Sequence, residues 1–360
     1  MEATLIPTII SFPIALVGSI LFTLSIIDLA CRLKLFDTNN HLKQHLEKVC
    51  SLGGIAIFAA FWIAVFLTIG FKEGGPTGYL FAGSFILFLT GVRDDLVGIH
   101  AIKRLLIQIG VASLMFFAGI RLTYIPGIEL DIPLWASYLL TIILIGAIVN
   151  AYNFIDGING LAGGLAIIAS LAFSLVFYLS GMEYLSVMAL ALSGGIIGFL
   201  MFNFGQAQIF MGDNGSTFIG VMLSFFTISF FQNHALNGGV ITWQPILVLA
   251  LLAVPLFDMA KVVLSRMARG RSPFKGDRTH IHHLLQQVGM KQDMVCYLLY
   301  VWSAIVIILA IQFVSNNIIV GGLTLALIGS LPYVAMYVLL KSHKEEKQSK
   351  LHANKASDIV

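Results

Sequence analysis

The stretch that decides how this chain folds runs from Asn150 to Gly164 and reads N-A-Y-N-F-I-D-G-I-N-G-L-A-G-G. It places the polar side chains of Asn150, Asn153, Asp156 and Asn159, together with several glycines, between two long apolar segments. Polar groups beside membrane helices need water, a partner or a ligand, because leaving them unpaired in an apolar medium is costly. The stretch therefore predicts a junction of two helices at a membrane surface, and a site within that junction.

The composition defines a membrane protein. Of the 360 residues, 58% are hydrophobic and 11% are charged, whereas about 25% of the residues in soluble domains are charged. The net charge of +3 is too small to indicate a nucleic-acid partner. The three cysteines show no metal-ligand spacing, and their odd number favours reduced thiols over a disulfide framework.

Apolar windows recur along the whole chain, each near the length of about 20 residues that crosses about 30 Å of hydrocarbon. We predict spans at 5–30, 53–71, 79–92, 105–120, 134–149, 161–180, 184–204, 217–232, 245–264, 294–314 and 318–340. The expected fold is an all-α polytopic membrane protein with about 11 transmembrane helices. Residues 1–340 form one multi-helix domain, and the polar tail 341–360 is expected to be disordered.

The basic residues predict the orientation of this bundle. With eleven spans, all but two of the 21 Lys and Arg residues fall on one side, the exceptions being Lys72 and Arg121. The positive-inside rule makes that side cytoplasmic, which puts the N-terminus outside and the C-terminus in the cytoplasm. Because successive loops alternate between the two sides of the membrane, the same count of spans puts the stretch 150–164 on the cytoplasmic face. Three other polar motifs, at 91–95, 210–216 and 277–283, fall on that face as well.

Asp94 and Asp95 form an adjacent acidic pair at the end of a predicted helix, and Lys103 and Gln108 follow on the next helix. Two neighbouring carboxylates repel each other, and a divalent cation or a cationic side chain relieves that repulsion. The alternative is an acidic helix end that is merely solvated.

Asn153, Asp156 and Asn159 are spaced three residues apart, so neighbouring members share a face if the segment is helical. Carboxylate and amide oxygens suit a hard cation, and glycines let phosphate groups approach the backbone. The alternative is that Asn and Gly only cap and connect two helices.

Asp213 lies in F-M-G-D-N-G-S (210–216), just before a helix predicted to start at about Ser216. Backbone N–H groups at a helix start favour phosphate, and a nearby acid can hold Mg²⁺. Asp213 could instead be a simple N-terminal cap, which is the commoner role of Asp before a helix.

The most cationic segment, 266–283, combines basic residues with three histidines. Arg and Lys complement a diphosphate, while clustered imidazoles donate hydrogen bonds or bind zinc. For the basic residues, contact with lipid headgroups is the alternative. The members are Arg266, Arg269, Arg271, Lys275, Arg278, His280, His282 and His283.

The chain resembles the polyprenyl-phosphate N-acetylhexosamine-1-phosphate transferases in four motifs, which occur in the same order and all on the predicted cytoplasmic side. These motifs are D-D, N-x-x-N-x-x-D-G, F-M-G-D-x-G-S and H-I-H-H. The resemblance covers residues 37–289, and H-I-H-H-L-L is similar to the bacterial N-acetylglucosaminyl-1-phosphate branch rather than to the phospho-muramoyl-pentapeptide branch. It implies that undecaprenyl phosphate attacks the sugar-linked phosphorus of a UDP-N-acetylhexosamine and releases UMP. The lipid-linked product would initiate cell-envelope polysaccharide synthesis at the bacterial inner membrane, with the active site facing the cytoplasm.

The resemblance also implies roles for individual residues. Mg²⁺, with Mn²⁺ as the alternative, would bind Asn153 and Asp213, and the catalytic residues would be Asp94, Asp95 and Asp156. The substrate-binding residues would be Lys43, His45, Asn159, Phe210, Arg278, His280, His282 and His283. Asn159 stands where the family often has Asp, which argues against proton transfer there. The expected sugar is N-acetylglucosamine, with N-acetylgalactosamine or a deoxy-amino sugar as alternatives, and the expected partners include a second copy of the chain in a homodimer.

A transporter is the competing class, since it would also have many spans and a basic cytoplasmic side. Transporters, however, place ionisable groups near the middle of the membrane, often on broken helices. Here the acids well within apolar spans are Asp28 and Asp258, both toward the cytoplasmic end, and the dense polar motifs lie in loops. The pattern therefore favours an enzyme.

Overall fold

The computed structural model describes residues 2–35, 49–70, 76–124, 132–237, 245–270, 279–312 and 320–335. The predictions for Lys43, His45, Arg278 and the polar tail fall outside the described residues.

The described chain is helical. Its only β pairing is an isolated bridge between Cys50 and Ile209. The helices are α1 (Glu2–Leu33), α2 (Gly53–Thr68), α3 (Thr77–Val97), α4 (Ala101–Phe117), α5 (Leu134–Ile155), α6 (Leu161–Leu179), α7 (Glu183–Asn203), α8 (Gly212–Asn237), α9 (Pro245–Leu251), α10 (Ala253–Ala268), α11 (Ile281–Gln287), α12 (Gln292–Gln312) and α13 (Val320–Ala335).

Every apolar window predicted from the sequence falls on a helix. The window 245–264 is divided at Leu252 into α9 and α10, and the short α11 is additional. Six helices of the described chain are long and apolar enough to cross a membrane: α1, α5, α6, α7, α8 and α12. These helices confirm an all-α polytopic membrane protein; the number of eleven spans and their orientation stay predictions.

Helix α8 forms the centre of the bundle. In its most apolar window 94% of the residues are buried, compared with 22% in that of α1. It packs against α2, α3 and α5, while α1 packs against α2 and α7 at the periphery. Large apolar side chains of α1, such as Ile6 and Leu21, are exposed, as expected for a helix that faces lipid.

Close approach to α8 depends on small residues. A Cβ on Gly54 or on Gly91 would collide with the backbone around Asn214, so α2 and α3 can reach the start of α8 only because these positions are glycine. Gly220 lies against Val149 in the same way and brings α5 close. The sequence alone does not show these contacts, yet they bring the ends of four helices together.

The predicted start of α8 at about Ser216 is wrong. The helix begins at Gly212, whose φ of +76° suits glycine, and Asp213 therefore lies in the first turn. The early start is possible because a carboxylate from α3, that of Asp95, accepts hydrogen bonds from the first free N–H groups. A local sequence pattern does not reveal a cap supplied by another helix.

Candidate active site

The carboxylate of Asp95 caps the N-terminus of α8. Its Oδ1 accepts a hydrogen bond from Asp213 N at 2.9 Å, and its Oδ2 accepts from Asn214 N at 3.0 Å and from Asn214 Nδ2 at 2.5 Å. A negative charge at this end of a helix is favourable, because it satisfies free N–H groups and interacts with the helix dipole. One member of the predicted acidic pair thus positions the next motif.

The other member, Asp94, binds Arg104, a residue that the sequence analysis missed. Arg104 Nη1 donates to Asp94 Oδ2 at 2.8 Å and to Asp213 Oδ2 at 2.7 Å, so one guanidinium bridges two carboxylates. Asp94 Oδ1 also accepts from Ile99 N at 2.6 Å. The cationic partner expected for the acidic pair is therefore in α4, beside the exposed Lys103.

A helical spacing could have identified Arg104. Gln108 was selected as a neighbour of the acidic pair, and on a helix the residue four positions earlier shares its face. That residue is Arg104, whereas Lys103 points elsewhere. Gln108 itself accepts a hydrogen bond from Asn150 Nδ2 at 2.8 Å, which joins α4 to α5.

Asp213 and Asn153 are brought into contact, as their shared predicted role requires. Asn153 Nδ2 donates to Asp213 Oδ1 at 2.8 Å and lies 3.2 Å from Ser216 Oγ. The two oxygens of Asp213 therefore face an amide from α5 and a guanidinium from α4. This geometry fixes the orientation of the Asp213 carboxylate.

Asp156 differs from the other acids in having no hydrogen-bond partner among the residues that the structure describes. It ends α5, with φ −76° and ψ 45°, and it is partly exposed to the cleft. Burial raises the pKa of its carboxyl well above the ordinary value, and the negative charges of Asp213 and Asp95 raise this pKa further. Asp156 is thus the carboxylate best placed to accept a proton.

These acids line one polar cleft of about 290 Å³. Asp95, Asp156 and Asp213 contribute three carboxylates to its wall, from three different helices or helix ends. Its remaining lining residues are Ser51, Gly157, Ile158, Asn159, Asn203, Phe210, Met211 and Gly212. The cleft therefore combines three of the four motifs that the sequence placed on one face.

Phe210 and Asn159 hold two walls of the cleft in place. The backbone of Phe210 is fixed on both sides, since its N–H donates to Cys50 O at 2.8 Å and its carbonyl accepts from Gly53 N at 2.9 Å. Asn159 Nδ2 donates to Gly205 O at 3.0 Å, a bond that an ionised carboxylate at this position could not make. Asparagine therefore has a structural role here.

None of the three histidines of the fourth motif lines the cleft, but His282 of α11 lies beside Gly157, which does. His282 is 1% exposed, and neither ring nitrogen has a partner within the described part of the chain. Its Nε2 lies so close to Gly157 that a Cβ there would collide with it. Burial lowers the pKa of His282 to about 3, and His283 contributes in the same direction. His282 is thus neutral at neutral pH in the ligand-free protein, not cationic.

The donor set of the cleft fits a hard cation. Asp213 and Asn153 offer adjacent oxygen-bearing groups, and Asp156 adds negative charge nearby. Within the described segments, no group of three or more His, Cys, Asp or Glu side chains is arranged to hold a metal ion by itself. Mg²⁺ usually binds through one or two carboxylates and completes its shell with water and substrate phosphates, so Asp213 and Asn153 would hold it together with a phosphate ligand.

Fold and site together define the class of protein: a polytopic membrane protein with a polar, acidic cleft at the ends of its helices. Residues 77–231, which contain Asp94, Arg104, Asn153 and Asp213, match the family model described as glycosyl transferase family 4. The chain belongs to this family and is therefore an enzyme.

Three relatives are similar over most of their length. The decaprenyl-phosphate N-acetylglucosaminephosphotransferase of Mycobacterium tuberculosis (strain ATCC 25618 / H37Rv) is 35% identical over 291 residues, 73% of this chain and 71% of the relative. The undecaprenyl-phosphate alpha-N-acetylglucosaminyl 1-phosphate transferase of Escherichia coli (strain K12) is 30% identical over 270 residues, 72% and 71%. A probable undecaprenyl-phosphate N-acetylglucosaminyl 1-phosphate transferase of Bacillus subtilis (strain 168) is 29% identical over 321 residues, 88% of each chain.

Proposed function

We propose that this enzyme transfers N-acetylglucosamine 1-phosphate from UDP-N-acetylglucosamine to undecaprenyl phosphate, releasing UMP. The observation that carries the proposal is the convergence of Asp95, Asp156 and Asp213 in one cleft at the end of an apolar helical bundle. The names of the relatives describe transfer of N-acetylglucosamine phosphate to undecaprenyl or decaprenyl phosphate. The product is the lipid-linked diphospho-sugar that initiates a cell-envelope polysaccharide.

The location of the cleft suits two substrates of opposite solubility. A polyprenyl chain needs an apolar surface, which the exposed apolar side chains of the bundle provide. A nucleotide sugar needs a polar site open to water, and the cleft is lined by carboxylates, amides and glycine backbone. A phosphate group at the boundary between these surfaces can therefore meet the donor diphosphate.

We assign Mg²⁺ to Asp213 and Asn153. When bound, this ion neutralises the diphosphate charge that develops during transfer. Arg104 fixes the Asp213 carboxylate in its orientation, and Asp94 holds Arg104 from the opposite side. Asp95 holds the backbone on which Asp213 stands. Asn153 also donates to Asp213, so four residues preorganise one carboxylate. This lowers the cost of reorganisation during the reaction.

In the transfer step, an oxygen of the acceptor phosphate forms a bond to the sugar-linked phosphorus, and the bond between that phosphorus and UMP breaks. Among the described residues, none donates a hydrogen bond that would hold the Asp156 carboxylate away from this oxygen. The raised pKa of Asp156 makes it a suitable acceptor for a proton from a monoanionic acceptor phosphate. We therefore assign Asp156 as the catalytic base.

The proposal includes eleven spans, an external N-terminus and a cytoplasmic active site in the bacterial inner membrane. The eleven predicted windows coincide with helices, and the asymmetry of basic residues supports the orientation. Contacts between motif residues of α3, α4, α5 and α8 also support this topology, because eleven spans put these helix ends on the same side of the membrane.

The deciding experiment incubates purified protein with radiolabelled UDP-N-acetylglucosamine, undecaprenyl phosphate and Mg²⁺. We expect a labelled lipid and an equal amount of UMP, and we expect Asp213→Asn to form neither. Parallel reactions with UDP-N-acetylgalactosamine and UDP-MurNAc-pentapeptide test the sugar and the alternative branch of the family. A transporter would form no lipid-linked product with any donor, and that result would overturn the proposal.

A further inference from the structure

An acid within the apolar helix α10, Asp258, takes no part in the cleft described above. It is 1% exposed. A buried carboxylate in a membrane helix is costly unless it is paired and hydrogen-bonded. Its partners therefore indicate what this acid contributes.

Three donors from two other parts of the chain occupy both oxygens of Asp258. Oδ2 is 2.6 Å from His280 Nδ1, while Oδ1 accepts from Ile281 N at 2.8 Å and from Tyr333 OH at 3.3 Å. Neither Asp258 nor His280 is among the residues that line the cleft, but His280 packs against Phe154, next to Asn153. Any effect on the reaction must therefore pass through the groups it holds, and one of these is a histidine of the fourth motif.

Helix α10 also holds the backbone that leads into α11. Lys261, one turn after Asp258, donates from Nζ to Thr279 O at 2.6 Å. Helix α11 begins at Ile281, and His280 is its N-cap residue but makes no side-chain capping bond. The carboxylate of Asp258 takes over that capping role. The three residues from Thr279 to Ile281 are thus tied to α10 at three points.

The contact with Asp258 also determines which ring nitrogen of His280 is available to a ligand. A carboxylate accepts hydrogen bonds, so Nδ1 of His280 must carry the proton that is shared with Asp258 Oδ2. Nε2 is the ring nitrogen that remains for a ligand. The ring packs edge-on against Phe154, with centroids 5.7 Å apart, and Phe154 directly follows the proposed metal-binding Asn153.

We propose that Asp258 is a positioning residue for the transferase reaction, because it holds His280 with Nδ1–H bound and leaves Nε2 to meet the nucleotide sugar. This inference rests on the proposed function for its activity readout. Functional histidines in other enzymes are held in the same way. An acceptor that binds one ring nitrogen fixes the tautomer and the orientation of the ring, so that the other nitrogen can act.

The test is a double-mutant cycle with Asp258→Asn, His280→Ala and the combined variant. Asparagine still accepts from Ile281 N, but its amide donates to Nδ1 and forces the other tautomer of His280. We expect each single variant to lower kcat/KM for the UDP-sugar on the order of 10- to 100-fold. The combined variant should be no worse than His280→Ala, because both changes remove one function. Losses that multiply would overturn the proposal.

Tyr333→Phe is the matched control. It removes one bond to Asp258 but keeps the bonds to His280 and Ile281, so we expect activity close to that of the unaltered enzyme. A loss equal to that of Asp258→Asn would assign the effect to the packing of α13 and would overturn the tautomer argument.

A spectroscopic measurement keeps the inference testable if Asp258→Asn does not fold, and it separates this inference from the proposed function. The chain has nine histidines, and the signal missing from ¹⁵N-histidine spectra of His280→Ala identifies His280. We expect a proton on Nδ1 in the unaltered protein, and an unprotonated Nδ1 would overturn the inference. Absence of lipid-linked product from the unaltered protein would instead refute the proposed function, whatever the spectrum shows.

Discussion

Replacing Asp95 by Asn should destabilise the protein as well as inactivate it. The Asp95 carboxylate accepts three hydrogen bonds at the start of α8, from Asp213 N, Asn214 N and Asn214 Nδ2. An asparagine has one acceptor oxygen and one NH₂ group in place of two acceptor oxygens. Whichever way this amide is turned, at least one backbone N–H of α8 loses its acceptor and faces a donor.

The magnitude follows from these bonds. A buried donor without a partner costs about 1–3 kcal/mol. The expected loss in unfolding free energy is therefore about 1–3 kcal/mol. Asp213 stands on the same turn, so its carboxylate should move away from Arg104 and Asn153. Activity should fall together with stability.

The assay compares thermal unfolding in detergent, followed by the fluorescence of the four tryptophans, with transferase activity. We expect Asp95→Asn to unfold several degrees below the unaltered protein. Asp28→Asn is the matched control, because it removes an exposed ion pair with Arg32, a type worth about 0–1 kcal/mol. If Asp95→Asn lost activity but unfolded at the unaltered temperature, Asp95 would act in the chemistry and the capping argument would be refuted.

Three further changes test other parts of the site. Arg104→Met should lower kcat on the order of 100-fold, because a carboxylate displaced by about 1 Å can cost that much. Gly157→Ala should push His282 out of place and raise KM for the UDP-sugar on the order of 10-fold, equivalent to about 1.4 kcal/mol of lost binding energy. Asp156→Asn should raise the unfolding temperature measured in EDTA, increasingly as pH rises above about 4, because a raised native pKa means that ionisation destabilises the folded state.

Each of these changes has its own control. Lys103 is exposed beside Arg104, and Lys103→Met should leave kcat nearly unchanged. Gly146 lies in α5, the helix that ends beside Asp156, but a Cβ there would meet nothing within 4 Å. Gly146→Ala should therefore leave KM for the UDP-sugar unchanged. The stability gain of Asp156→Asn should shrink in Mg²⁺, since a cation offsets the same repulsion. Equal effects in a variant and its control, or a gain that is independent of pH, would contradict the reasoning.

Most of the fold could be predicted from the sequence. Span length and apolar composition are local properties, so the positions of the helices followed from windows of about 20 residues. The stretch from Asn150 to Gly164 was likewise recognisable from its polarity in an apolar chain, and the structure places its residues 156–159 in the wall of the cleft. The early start of α8 was not predicted, because its cap is supplied by another helix. The break at Leu252 was not predicted either, although it has a local cause: Pro255 has no N–H to donate to the carbonyl of Leu251.

The partners of the polar residues could not be predicted in this way. Arg104 and Asp213 are 109 positions apart, and Asp95 and Asn214 are 119 apart, so only the packing of α3, α4 and α8 decides that they meet. Local patterns specify which residues are polar and on which helix face they lie. They do not specify which helices approach closely, since that depends on small residues such as Gly91 meeting a particular backbone.

The sequence by itself therefore determined the class of protein, the helices and the identity of the motif residues, because the length of apolar segments and the chemistry of side chains are properties of short stretches of chain. The tertiary structure decided which role each acid has. It assigned Asp95 to a helix cap, Asp94 to Arg104, and Asp258 to His280, while it left Asp156 without a partner among the described residues. The physical reason is that a carboxylate's role depends on the donors within about 3 Å of it, and packing alone brings those donors there.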